Sequence, residues 1–165
     1  MAKVGTLVTT TLAGLLRSEG GVARAVAALA NAEGIDLPPM EASQILAANL
    51  STELTDRTQG AHYPQICVYC EKISNRHTEK FRRFSGKAFV NMEVRLSQER
   101  ADGIEQRLQF YVEAVTNVLE QSRGELVTGI FYSGAYEIKF GNIRHGGKNF
   151  LQVATVAIEL DVSQD

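Results

Sequence analysis

Cysteine, histidine and proline are scarce in this 165-residue chain, with two, three and three copies respectively. Two cysteines cannot form a disulfide framework. Their spacing in Cys67-Val68-Tyr69-Cys70 invites a redox or zinc reading. A redox pair, however, needs its first cysteine at a helix N-terminus, and zinc needs a second pair of ligands. Both cysteines fall inside a predicted strand, where a separation of three sends them to opposite faces, so ordinary strand residues are preferred to a metal or redox role. His62, His77 and His145 lie far apart in predicted loops with no nucleophile or carboxylate signature around them, and surface histidine is the default over an assembled catalytic base. An excess of either charge is also missing. Seventeen basic against nineteen acidic residues leave a formal charge of -2, so no global field drives the chain onto nucleic acid or an anionic membrane. No stretch approaches the ~20 apolar residues of a membrane helix. Thr9–Thr11 and Arg17 interrupt the apolar residues that a signal peptide would need. The expectation is a soluble protein made in a cytoplasm, with 44% hydrophobic residues supporting one compact domain and an appendage.

What is present is scaffold. Residues 1–60 read as a helical region: Thr6–Leu16, then the alanine-rich Val22–Ala32 stopped by Glu33-Gly34, a break at Pro38-Pro39, and a restart over Glu41–Leu50. From residue 61 to 165 the texture changes to strands around one helix. Gln65–Ile73 is rich in β-formers and follows a turn at His62-Tyr63-Pro64. In Lys87–Ser97, Ala88, Val90, Met92, Val94 and Leu96 alternate with more polar residues, the period of a strand with one face in a core. A helix spans Asp102–Gln121, with Asp102 and Glu105 spaced as a capping box and Ile104, Leu108, Val112 or Tyr111, Val115 and Leu119 in one stripe. Short strands follow at Ile130–Tyr132 and Ala135–Ile143, then a turn at His145-Gly146-Gly147 and a last strand over Asn149–Val162. Gly141–Lys148 carries the glycines and lysine of a phosphate loop but in the wrong spacing and between strands, so a hairpin turn is preferred. The predicted class is α+β, a mainly antiparallel four-stranded sheet with a long helix across one face, plus the helix-rich N-terminal region. The other face is left for the N-terminal helices or for neighbouring molecules.

The dense charge feature lies in the predicted loop Ser74–Gly86 and its flank. Arg76, Lys80, Arg82, Arg83 and Lys87 stand among Phe81 and Phe84, with Glu79 as the single acid. A solvated connection, a protein or subunit contact, and a nucleic-acid contact all fit this composition. Of the two functional readings the protein contact is preferred, because the chain as a whole is not basic.

The order of elements over residues 63–163 resembles the tail terminator proteins of long-tailed bacteriophages, and more loosely the head-completion and tail-tube proteins of the same architecture. It rests on KAFVNMEVRLS (residues 87–97), ADGIEQRLQFYVEAVTNVLEQ (101–121) and the closing hairpin GAYEIKFGNIRHGGKNFLQVATVAIELDV (134–162). The resemblance implies a virion structural protein, assembled in the host cytoplasm, whose hexameric ring caps the tail tube and joins the tail to neck or connector proteins. It also implies genome DNA passing through the lumen without specific binding, and no catalytic residue, cofactor or metal. Residues 1–60 are longer than in simple members, which leaves open a head-completion or neck adaptor role, or a sheath contact. The competing class is a small nucleic-acid-binding module using loop 76–87.

Overall fold

A computed structural model describes residues 3–52, 62–75 and 81–165. The chain opens with helices α1 (Val4–Arg17) and α2 (Val22–Glu33). Val4, Val8, Leu12, Ala13 and Leu16 recur at helical spacing and form the buried stripe of α1. Gly34 ends α2 in the left-handed conformation at φ 63°, where a side chain would be strained.

The helix expected over Glu41–Leu50 does not form. A single 3-10 turn at Ala42–Gln44 leads into a two-residue strand, β1 (Ile45–Leu46), lying parallel to Ile66 and Cys67. Tertiary partners claim the backbone there. The Arg17 guanidinium donates to the Ile45 carbonyl through Nε at 2.9 Å and Nη2 at 2.5 Å. Gln44 Nε2 donates to the Pro64 carbonyl at 2.8 Å, tying the turn to the start of the next strand. Ile45, β-branched and only 1% exposed, gains more in the core than on a helix flank.

Four further elements follow in order: β2 (Gln65–Ser74), β3 (Phe84–Gln98), α3 (Ile104–Gln121) and β4 (Gly124–Val127). Beyond them lie β5 (Ile130–Phe140), β6 (Arg144–Gly146) and β7 (Asn149–Gln164). The expected four-stranded antiparallel sheet is thus corrected to a mixed, seven-stranded one curled into a half-barrel, in the order β1-β2-β3-β7-β5-β4 with β6 beside β7. Strands of 15 and 16 residues, β3 and β7, form its spine, and twist accumulating over such lengths curls the sheet. Bulges add to the bend. One falls between Cys70 and Lys72, and another between Tyr132 and Tyr136, where Gly134 takes φ 98°. That second bulge joins into one strand what the sequence suggested as two.

The proposed capping box of α3 is also absent. Gly103 precedes the helix at φ 75° without a side-chain cap, while Gln98 Nε2 donates to the carbonyls of Arg100 at 2.6 Å and Asp102 at 2.9 Å.

All three helices of the described residues serve one face of the sheet. α1 packs on β2 and β3, α3 crosses β3, β7 and β5, and α2 rests on α3. Even-numbered residues of the two spine strands, Ala88 to Leu96 and Ala154 to Val162, point into that layer and are buried with Leu108, Tyr111, Val112 and Val115 of α3. Tyr111 also donates its hydroxyl to the Pro38 carbonyl at 2.6 Å, which holds the proline-rich connection over the helix.

Candidate assembly surface

With the helices on one side, the odd-numbered residues of the spine face the other. That face is polar, and its polar groups are organised. Arg95 is 1% exposed. Its guanidinium donates to Glu93 Oε2 through Nη2 at 2.6 Å and Nε at 3.2 Å, and also to the Leu50 carbonyl. Tyr69 donates its hydroxyl to Glu93 Oε1 at 2.9 Å, and Asn91 Nδ2 donates to Glu71 Oε2 at 3.1 Å. The Tyr69 hydroxyl is held above its ordinary pKa chiefly by desolvation, with its donation to Glu93 adding to the effect, so it remains a donor at neutral pH. Beside this network a groove of about 590 Å³ runs between β2 and β5, lined by Tyr69, Glu71, Asn91, Glu137, Lys139 and Thr155 among others.

The two cysteines lie on opposite faces. Cys67 pairs with Glu93 on the polar side, and Cys70 pairs with Val90 on the helix side. Burial pushes both thiols above the usual range, and a thiol without its thiolate is neither a nucleophile nor a good metal ligand. Among the described residues no three His, Cys, Asp or Glu side chains converge as a metal site.

The predicted contact residues divide sharply. Arg76 and Lys80 lie outside the described residues. Phe81 is 90% exposed, and Arg83 is exposed beside it. Arg82 reaches the end of the chain, donating to Ser163 Oγ with its Nε 4.0 Å from Asp165 Oδ1. Phe84 is no exposed anchor: it is 2% exposed and belongs to the core. β3 begins three residues earlier than its clear alternation suggested, and Phe84 stands in phase with Ala88 and Val90. That phase was the signal by which Phe84 could have been placed. Lys87, on the polar face, forms ion pairs with Glu159 and with Asp161, the latter at 3.8 Å. Its charge is matched within the sheet.

The edges were not evident from sequence. β4 covers β5 only at Ile130–Tyr132, and β1 covers β2 only at Ile66 and Cys67. Residues 133–140 on one side and 68–74 on the other therefore have no outer strand partner among the described residues. Apolar side chains are exposed at both margins: Ile138, Phe140 and Ile143 near the first, Ile73 at the second. Alongside the β2 margin a groove of about 330 Å³ lies between Thr6, Thr9 and Thr10 of α1, the segment Ala47–Asn49 and Val68–Cys70. Comparison of the sequence with family models and with curated proteins gives no match.

Proposed function

We propose that this chain is a structural subunit of a bacteriophage tail, a tail terminator whose copies close a ring at the head-proximal end of the tail tube. The supporting observation is the pair of sheet margins that no strand covers among the described residues. A head-to-tail ring needs two different, mutually complementary surfaces on each copy, and an unpaired strand edge is a ready template for a neighbour's strand. Along the sheet order the strands from β2 to β5 alternate in direction, so β5 of one copy would meet β2 of the next in antiparallel register. Ile138 and Phe140 would then extend the apolar side towards Ile73, and Glu137 and Lys139 would meet Lys72 and Glu71 on the polar side. The resemblance over residues 63–163 adds the expectation of six copies in contact with tube and neck proteins. A neck adaptor of the same build would use the same margins.

Native mass spectrometry with negative-stain imaging of the purified protein, and a cryo-EM map of the particle, test this reading. Six copies of the 18.1 kDa chain as one ring at the end of the tail tube are expected. Ile138→Asp with Phe140→Asp should give a folded protein that enters no ring. A single copy per particle, or a repeat along the whole tail, refutes the terminator.

A further inference from the structure

The two sheet margins differ in how much of each is accessible. On β2, Val68 has no exposure, Tyr69 and Cys70 are half-buried, and Glu71, Lys72 and Ile73 are exposed. An added strand can therefore pair with residues 69–74 and no farther. On β5, pairing with β4 ends at Tyr132 and the strand itself ends at Phe140, with Glu137, Ile138, Lys139 and Phe140 all exposed. Side-chain alternation divides each margin between the two faces. Tyr136, Ile138 and Phe140 pair with Ile158, Val156 and Ala154 on the helix side, while Glu137 and Lys139 pair with Ala157 and Thr155 on the polar side. Across the bulge of β2, Cys70 and Ile73 pair with Val90 and Ala88 on the helix side, whereas Tyr69 and Lys72 pair with Asn91 and Phe89 on the polar side. Lys72 is held there over the Phe89 ring, its Nζ 5.4 Å from the centroid. Within one chain Glu71, Glu137 and Lys139 face a single groove, yet neither Glu137 nor Lys139 forms an ion pair among the described residues.

We propose that β5 of one copy adds to β2 of the next in a single register, with Ile138 opposite Cys70, Glu137 opposite Lys72 and Lys139 opposite Tyr69. Resting on the ring reading, this register specifies which residues make its contact. A slip of one residue is excluded, because it turns every apolar side chain of the added strand to the polar face. Slips of two keep the faces matched and must be decided by what the side chains then meet. Moved two residues towards Val68, the strand would drive Ile138 against a position that has no exposure. Moved two the other way, it would set Lys139 opposite Lys72, and like charges directly opposite are destabilising. Only the proposed register pairs Lys72 with Glu137 and brings Glu71 diagonal to Lys139. On the helix side Tyr136 then covers the exposed Ile73, and Ile138 covers Cys70. Phe140 passes the last pair, and its ring enters the groove of about 330 Å³ bordered by Thr6, Thr9, Ala47–Asn49 and Val68.

Native Cys70 supplies the test. Directly opposite residues of antiparallel strands have Cα atoms about 4.5 to 5.5 Å apart, inside the roughly 4.4 to 6.8 Å span of a disulfide, whereas diagonal neighbours stand about 7 to 8 Å apart. Ile138→Cys, Tyr136→Cys and Phe140→Cys variants of the full chain are oxidised with diamide and resolved on non-reducing gels, with native mass spectrometry reporting assembly. Ile138→Cys should link copy to copy around the ring, and adding Cys70→Ser should abolish the link. Tyr136→Cys and Phe140→Cys, which face Cys70 only in the two slipped registers, should link far less. Rings in which Ile138→Cys stays unlinked, or in which either of the other two links better, overturn the register and leave the ring reading standing. A wild-type chain that forms no ring overturns both. The charges give a second readout. Glu137→Lys should reduce the ring population several-fold, and adding Lys72→Glu to the same chain should restore it. A single variant that assembles like wild type, or a double variant that stays monomeric, overturns the pairing of Lys72 with Glu137.

Discussion

Replacing Arg95 by Met keeps most of the aliphatic volume on the polar face and removes the charge. The variant loses both bonds to Glu93 Oε2 and the bond to the Leu50 carbonyl, and leaves Glu93 with Tyr69 alone among the contacts described. Breaking a buried ion pair by removing one partner costs about 3 to 5 kcal/mol. The Glu93 side chain is 20% exposed and recovers some hydration, which places the expected cost at the low end, about 3 kcal/mol. Were this an ordinary surface pair, the cost would be below about 1 kcal/mol. Urea unfolding followed by circular dichroism separates the two, provided the slope stays constant so that the midpoint reports stability. Glu93→Gln in the Arg95→Met background should restore about 1 to 2 kcal/mol, because it removes the stranded charge. Hydrogen exchange offers a local readout, since the Leu50 carbonyl is held by Arg95 and residues 47–52 should exchange faster in the variant. A loss below about 1 kcal/mol for Arg95→Met, with exchange at 47–52 unchanged, would show that the network is ornament on the sheet and not a fastening.

Other perturbations probe the remaining layers. Leu108→Ala, at a position with no exposure, should cost about 2 to 5 kcal/mol, while exposed Gln109→Ala should be nearly silent in the same urea assay. Phe84→Ala should destabilise by about 3 to 5 kcal/mol and Phe81→Ala by less than about 0.5, a contrast that a fully solvated loop 74–86 would not produce. Tyr132 buries a hydroxyl with no partner among the described residues, so Tyr132→Phe should raise stability by about 1 kcal/mol in thermal unfolding. Burial pushes Tyr111 and Tyr132 up to about 12 from the usual 10, so the stability they contribute is complete below pH 10 and lost as the pH rises through about 12. An absorbance titration in which every tyrosine ionises near pH 10 with the fold intact would contradict this. Reversing Arg82 and Arg83 to Glu should leave the unfolding midpoint within about 0.5 kcal/mol of wild type. On the proposed tail reading, the same change should sharply reduce joined heads and tails when the variant complements a phage lacking the gene, whereas wild-type yields would make the loop a mere connection.

Local period determined much of what the sequence could say. The alternation through Ala88–Leu96 and Val156–Val162, the stripe of α3 and the alanine-rich α2 with its glycine stop are all set by neighbours within a few residues. They were legible for that reason, whereas the turn expected at His145-Gly146-Gly147 closes instead at Gly147-Lys148, with His145 and Gly146 in β6. The tertiary structure decided the rest, because it depends on partners far away in the chain. Ile45 became a strand residue since Ile66 and the Arg17 guanidinium were there to receive it. Arg95 looked like a solvent-facing strand residue until the segment at Leu50 folded over it. Within the basic segment, Lys87 was matched by Glu159 and Asp161 only when β3 and β7 paired across more than seventy residues of sequence. Side-chain period says which way a residue points, but which charges cancel and which margins stay open follow only from the register in which distant strands meet.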